Sequence, residues 1–462
     1  MKKNYTNTLF LVLFALAAIV LMPSCERDPV ADEQTGLTAS YDAKVPLAWN
    51  NLFLEIDRFS PGYRPPAAAR ALAYTGLAVY ETVVPGMPEY NSLGSVYVQI
   101  DLPKADESTT YNWAIAANAA YSTMLQFHYP HVESQYIDQI KNQEERLVVE
   151  LSKDVDEEVV TRSIRWGQDV AKAVIEWSRT DVAGHEGYKN PHPADYVPPV
   201  SGPNGEKLWQ PTFPDFTRGL FPNWGKVRPF AMKPSELISK PPIPWSEDPN
   251  SKFYLQALET RQTVNEATLN DIWIAEFWSD DIFQLTFEPA ARWVAIANQL
   301  VEEDKLDLGR TAELYAKMGM ALADAGIAVW NSKYIYNVER PITYIRRLID
   351  KDWLTILNDP IGNQKGITPP FPAYPSGHSG FGAAGSGILT DIFGVRTFTD
   401  RCHVDRTEFI GIPRTFSNFA ELGREDAYSR LTLGVHFRMD CDEGVRLGDI
   451  AANRVINLPW KK

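Results

Sequence analysis

Phe371-Pro372-Ala373-Tyr374-Pro375-Ser376-Gly377-His378-Ser379-Gly380 is the stretch on which the reading of this chain turns. Prolines crowd the segment up to Pro375 and prevent a helix there. The small residues from Gly380 to Leu389 then permit one, so Ser376 to His378 fall at a helix N-terminus. Free backbone N–H groups and the positive helix end favour an anion at such a place. Ser376 adds a hydroxyl, Gly377 lets the backbone approach closely, and His378 is able to give a proton to a leaving group. An ordinary serine N-cap with an incidental histidine would also satisfy this fragment taken alone.

Two further fragments supply what this one lacks. Upstream, Lys333 and Arg340 are seven residues apart and followed by Pro341. On one helix they would share a face, about 10.5 Å apart along the axis, with Pro341 ending or kinking that helix. Downstream, Ser429-Arg430 is followed by His436 and Asp440. A four-residue spacing lets Asp440 hold one ring nitrogen of His436 while the other faces a ligand. The combined set holds fixed cations, small donors and imidazoles, with no carboxylate in direct contact. It suits a tetrahedral oxyanion, with phosphate and vanadate as the candidates.

At 462 residues with a formal net charge of −14, the chain has ample apolar content for a core. That charge argues against nucleic acid or an anionic membrane surface as the main partner. Residues 1–25 read as an export signal: Lys2 and Lys3 precede an apolar run from Leu9 to Met22, and the polar chain starts after Ser24-Cys25. The run resembles a bacterial lipoprotein signal with Cys25 as the lipidated residue, although Met22 and Pro23 depart from the usual small-residue motif. The expectation is export to the periplasm or cell surface as a lipoprotein, or otherwise secretion. Membrane contact would come only through that anchor. Residues 26–42 read as a polar tether. Cys402 and Cys441 are the remaining cysteines, and the sequence leaves their pairing open.

Residues 43–462 read as one large domain. Apolar periodicity predicts helices from Val45 to Phe59 and over 67–84, 109–127, 133–152 and 155–178. It resumes from about 251 and is strongest over 265–303, 309–331, 338–349, 377–393, 424–437 and 440–456. Between the two groups, 190–250 holds 14 of the 33 prolines together with Trp209, Phe213, Phe216, Phe221, Trp224 and Phe230. It reads as an irregular covering packed over the domain, with a channel wall as a further role. The fold class is therefore mainly α, a helical bundle with a long proline- and aromatic-rich irregular segment.

Lys-x6-Arg-Pro, Pro-Ser-Gly-His and Ser-Arg-x5-His-x3-Asp, in that order over 333–440, resemble the signature of the vanadium-dependent haloperoxidases and type 2 phosphatidic-acid phosphatases. The resemblance implies a helical bundle of the vanadium haloperoxidase/acid phosphatase type. It implies Lys333, Arg340 and Arg430 on equatorial oxygens, Ser376 and Gly377 completing the cradle, and His436 as the axial group and vanadium ligand. Lys333 would polarise peroxide and His378 would handle protons. Trp330 and Phe371 stand where that branch places aromatic residues beside the cofactor, and Gly62 to Arg70 also resembles its bacterial members. The expected activity is vanadate-dependent oxidation of halide by hydrogen peroxide to hypohalous acid, with a small organic acceptor as a further partner. Two alternatives use the same residues: an acid phosphatase acting through a phosphohistidine on His436, and a non-catalytic anion-binding envelope lipoprotein. Ser379 departs from the alanine common after His378 in the haloperoxidases, and Asp280 or Asp281 is a candidate to orient Arg430.

Overall fold

The computed structural model describes residues 36–462 apart from 215, 281, 361 and 409. The export signal, Cys25 and the first part of the expected tether lie outside the described residues. The rest of that tether is packed: Thr38 is buried and donates to the Val83 carbonyl at 2.9 Å, and Trp113 Nε1 donates to the Gly36 carbonyl.

Thirteen α-helices are present among the described residues: α1 Lys44–Asp57, α2 Pro65–Val83, α3 Trp113–His128, α4 Ser134–Leu151, α5 Glu157–Arg179, α6 Lys252–Asn265, α7 Leu269–Phe277, α8 Pro289–Asp304, α9 Leu308–Tyr336, α10 Pro341–Leu348, α11 Gly377–Phe393, α12 Phe419–Thr432 and α13 Arg438–Ile456. Two short antiparallel hairpins, Asn358–Asp359 with Gln364–Lys365 and Phe398–Asp400 with Arg414–Phe416, complete the regular elements. No helix among the described residues is long and apolar enough to cross a membrane.

Proline opens α2, α8 and α10 at the first turn, where its missing N–H costs nothing. Side-chain oxygens of Asn112, Asp156, Ser251, Thr268, Asp307, Ser376 and Asn418 cap seven others. Three expected helices are corrected here. Residues 265–303 form two helices, α7 and α8, parted by Trp278 to Glu288 because Pro289 can only begin a new one. The helix expected over 424–437 is α12, which stops at Thr432, and Gly434 at φ +81° turns the chain away. The helix expected over 338–349 begins only at Pro341.

Helix α9 runs through the centre and is buried along nearly its whole length. It crosses α2 at contact distance: a Cβ at Gly319 would lie 2.7 Å from the Leu72 carbonyl oxygen, and one at Gly76 would lie 2.7 Å from that of Tyr315. Helices α9, α11 and α13 pack together and carry the signature residues, with α12 against α11. The largest core cluster extends from Ala43 to Trp460, and a smaller one gathers Val338, Tyr374 and Phe437 beside the signature residues.

Residues 190–250 carry only short 3₁₀ turns. Trp209, Phe221, Trp224 and Phe230 are buried, whereas Phe213 and Phe216 are exposed. The segment is clipped to α9 by Asp324, whose carboxylate accepts the N–H groups of Phe230, Ala231 and Met232 at 2.6, 2.8 and 2.7 Å. Nearer the signature residues, the Leu220 carbonyl accepts from Trp330 Nε1 and Tyr334 Oη at 3.1 and 2.7 Å. The Tyr374 hydroxyl donates to the Lys240 carbonyl at 2.5 Å. Cys402 and Cys441 are free thiols.

Candidate active site

Lys333 and Arg340 reach one place, but not along a single helix face. Helix α9 ends at Tyr336, Asn337 takes the left-handed conformation at φ +47°, and Arg340 is the extended N-cap of α10. Pro341 therefore starts a helix where the sequence reading had it end one. Both side chains are fully buried. Lys333 Nζ donates to the carbonyls of Pro372, Ala373 and Pro375 at 2.9, 3.0 and 2.6 Å, so the proline-rich approach to α11 is tied to the end of α9. Arg340 Nε donates to the Phe371 carbonyl at 2.9 Å, and Nη1 to that of Val435 at 2.8 Å.

Ser376 is the N-cap of α11, as its sequence context predicts, and accepts from Ser379 N at 3.3 Å. Gly377 and His378 form the first turn, both buried. Ser379 donates its hydroxyl to Ser376 Oγ at 2.8 Å and also lies 3.0 Å from the Ala427 carbonyl. It braces the cap against α12. Helix α13 fixes the same turn from the other side: Ser376 N donates to the Asp440 carbonyl at 2.9 Å, and a Cβ at Gly444 would lie 2.6 Å from the Ser376 carbonyl oxygen.

His436 and Asp440 meet, though not on a shared helix face. His436 lies in the loop before α13, Phe437 is the N-cap, and Asp440 is the third helical residue. Asp440 Oδ2 accepts the Phe437 N–H at 3.0 Å and faces His436 Nδ1 at 2.9 Å. On the other side of the ring, Arg340 Nη1 stands 3.0 Å from Nε2. An arginine only donates, so Nε2 carries the lone pair and Nδ1 the proton given to Asp440. Burial, reinforced by Arg340, Lys333 and Arg430, holds the His436 pKa well below the ordinary imidazole value. Burial pushes Asp440 up to about 7, against the opposing pull of the Phe437 N–H, Lys333 and Arg340. With two donors on Oδ2, Asp440 acts as the acceptor and His436 is neutral.

The remaining members converge electrostatically. Arg430 is fully buried in the last turn of α12 and raises the cost of protonating both Lys333 and His436. His378 adds to the same effect on His436. Burial, then Arg340, pushes Lys333 well below the usual lysine range. Lys333, Arg340 and Arg430 are buried together beside Asp440, a concentration of positive charge that favours an anion. Their donors, the Ser376 cap and the α11 N-terminus fit a bound oxyanion such as vanadate. Among the described residues, no group of three or more histidine, cysteine or acidic side chains has the arrangement of a metal-cation site.

Phe371 roofs the cations. Its ring centroid lies 4.9 Å from Lys333 Nζ and 5.0 Å from the Arg340 guanidinium carbon, with the Trp330 ring 5.1 Å behind it. Phe371 is also part of the wall of a cavity of about 560 Å³ that opens beside it. Gly62, Arg64 and Pro65 border this cavity, as do Pro191, His192 and Leu220 of the covering segment. The sequence reading gave residues 190–250 a channel wall as a further role but singled out none of Pro191, His192 and Leu220 for it. Asp280 is buried in the segment that follows α7. It lies 4.0 Å from Arg292, which also pairs with Asp400 at 2.9 Å, and Asp281 lies outside the described residues.

Comparison with known proteins follows the same pattern. Residues 313–459 match the profile of the VCPO second helical-bundle domain. The chain is 25% identical to the vanadium chloroperoxidase of Curvularia inaequalis over 87% of its own length and 79% of that protein's. A solved bacterial vanadium-dependent iodoperoxidase superimposes with a TM-score of 0.78 at 28% identity, over 90% of this chain and 96% of that one. A holo bacterial vanadium-dependent chloroperoxidase shares the fold, with a TM-score of 0.63 at 18% identity over 87% and 93% of the two chains. With all three signature blocks gathered in one buried cationic pocket, the chain is similar in sequence and fold to vanadium-dependent haloperoxidases, and residues 313–459 match their second helical-bundle domain.

Proposed function

We propose that this protein is a vanadate-dependent haloperoxidase, which oxidises halide with hydrogen peroxide to hypohalous acid. The observation that carries this reading is the Phe371 ring seated against both Lys333 and Arg340. An aromatic roof over the cations gives a small, poorly hydrated halide a place beside the anion pocket. A phosphate ester would bring a bulkier leaving group to that position.

Bound vanadate supplies a Lewis-acidic centre at which peroxide becomes electrophilic toward halide. The chain's own part is to hold that group and manage charge and protons. Arg340, Arg430 and Lys333 neutralise its oxygens, and the Ser376 hydroxyl with the Gly377 N–H completes the cradle. His436 offers the Nε2 lone pair, oriented by Nδ1–H on Asp440. His378, on the first turn of α11, accepts and returns the peroxide protons. Lys333 stands nearest the Phe371 roof, where its charge favours electron flow from halide to peroxide. Trp330 keeps water from that side through its ring and its bond to the Leu220 carbonyl. A small electron-rich organic molecule is the acceptor of the product.

Localisation rests on the sequence signal: export, with Cys25 as the lipidated first residue of the mature chain. Mass spectrometry of the mature N-terminus from the native membrane fraction tests it.

The function itself is tested by peroxide-dependent oxidation of iodide and bromide, before and after vanadate loading. Activity that appears with vanadate and is competed away by phosphate supports the assignment. No halide oxidation, with hydrolysis of phosphate monoesters instead, overturns it.

A further inference from the structure

The cavity beside Phe371 is distinguished by what it lacks. Among the described residues, its wall contains no cysteine, methionine, tryptophan, tyrosine or lysine. These are the side chains that react readily with hypohalous acid, through sulfur, ring carbon or amine nitrogen. Four other cavities each have at least one of them: Met87 and Trp166 in one, Lys365 in a second, and, in two smaller ones, Tyr63 and Tyr188, and Trp245 and Tyr336. Here the wall is built from proline, aliphatic and phenylalanine carbon, together with amide, carboxylate and guanidinium groups that react slowly.

One reactive group remains, the imidazole of His192. Its Nδ1 lies 2.9 Å from the Gly219 carbonyl oxygen, which only accepts, so Nδ1 carries the proton and Nε2 the lone pair. Nε2 has no hydrogen-bond partner among the described residues. The ring is held from behind. Gly219 precedes Leu220, whose carbonyl is fixed by Trp330 and Tyr334 of α9 and whose N–H donates to Pro370 at 3.1 Å. An oriented nucleophile therefore faces a cavity whose wall is otherwise resistant to the oxidant, next to the place where the oxidant forms.

We propose that His192 is a halogen-transfer site, which takes the halogen from hypohalous acid at Nε2 and passes it to an electron-rich acceptor such as a phenol or amine in the same cavity. This deepens the haloperoxidase assignment and rests on it. In the first step the Nε2 pair attacks the halogen, the halogen–oxygen bond breaks, and hydroxide leaves to be protonated by solvent. Nδ1–H stays on the Gly219 carbonyl, so the adduct is a cationic N-haloimidazolium, a strong halogen donor. In the second step the acceptor's π or lone pair attacks the halogen. The nitrogen–halogen bond pair returns to Nε2, and the acceptor loses a proton to solvent. No further oxidant is consumed.

The test uses the full chain with ¹³C in the ring of its seven histidines, and a His192→Gln variant to assign the His192 resonance. Two arms are run with one equivalent of oxidant: vanadate-loaded protein given peroxide and bromide, and vanadate-free protein given hypobromous acid directly. The expected result in both is displacement of the His192 resonance alone, reversed by added phenol with appearance of bromophenol. An unmoved His192 resonance, or one displaced together with the exposed histidines and not restored by phenol, overturns the proposal. Failure to generate oxidant in the first arm would overturn the haloperoxidase assignment separately, while the second arm still decides the fate of His192.

Discussion

Arg340 donates from Nη1 to His436 Nε2 at 3.0 Å, so the lone pair needed by an incoming ligand is held by the cation that would neutralise that ligand. A bound oxyanion would take over the arginine's donor, and the Nε2 lone pair would then be free to hold that anion.

His436→Ala is therefore expected to abolish both vanadate retention and halide oxidation, since it removes the Nε2 lone pair that Asp440 orients. Equilibrium dialysis with vanadate, followed by an iodide oxidation assay, checks it. Undiminished activity would remove His436 from the site.

Asp440→Ala leaves the ring in place but removes the acceptor that holds the proton on Nδ1. It also uncaps the Phe437 N–H. Loss of such an orienting partner typically costs about 10- to 100-fold in affinity for the bound group. The same dialysis measures it, and an unchanged dissociation constant would show that the ring needs no orientation.

His378→Ala should separate binding from chemistry. A proton-handling group contributes about 10²- to 10⁴-fold to rate, so turnover is expected to fall by that order while vanadate affinity moves by less than about tenfold. Equal losses in the two measurements would make His378 an anion-holding residue instead.

Asp324→Ala removes the acceptor for three successive backbone N–H groups of the covering segment. Hydrogen bonds to a charged group contribute about 1.5–3 kcal/mol each, and unpaired buried donors add a penalty. Water reaching the released segment offsets part of this, so the expected net loss is about 3 kcal/mol in denaturant unfolding. Limited proteolysis should cut first between residues 190 and 250. An unchanged cleavage pattern would mean that the clip is dispensable.

His128 gives a pH dependence of definite sign. Burial, with Arg70 nearby, lowers its pKa to about 3. Between that value and the unfolded value of about 6.5, the unfolded chain binds a proton that the folded chain does not, so stability falls as pH falls through this window. The slope is about 1.4 kcal/mol per pH unit, or about 2 kcal/mol between pH 6.5 and 5. Urea unfolding at the two pH values should show the difference in the parent protein and a loss smaller by about that amount in His128→Phe. Identical pH dependence in both would reject the assignment.

The helical class and the three signature blocks were legible in the sequence because each depends on local order. Proline density followed by small residues can only place Ser376 at a helix start, and α11 begins there. The apolar period marked α1 to α5 closely, since one buried face imposes it. Periodicity failed where the chain stops being helical without losing its apolar rhythm: between α7 and α8, after Asn337, and after Thr432. In those places a left-handed residue, a glycine or the φ of proline decides, and a pattern of buried faces does not record it.

What the sequence determined by itself was the inventory: which cations, hydroxyl and imidazoles were present, and that they suited an oxyanion. What only the tertiary structure decided was their mutual direction. His436 has its proton on Nδ1 because Arg340, 96 residues earlier, donates to Nε2. Phe371 roofs two cations because Arg340 holds its backbone carbonyl. His192 reaches the cavity because Leu220 is bonded to α9. Each of these is a contact between segments far apart in the chain. Its geometry follows from burial and hydrogen-bond satisfaction in the packed core, which spacing along a sequence does not encode.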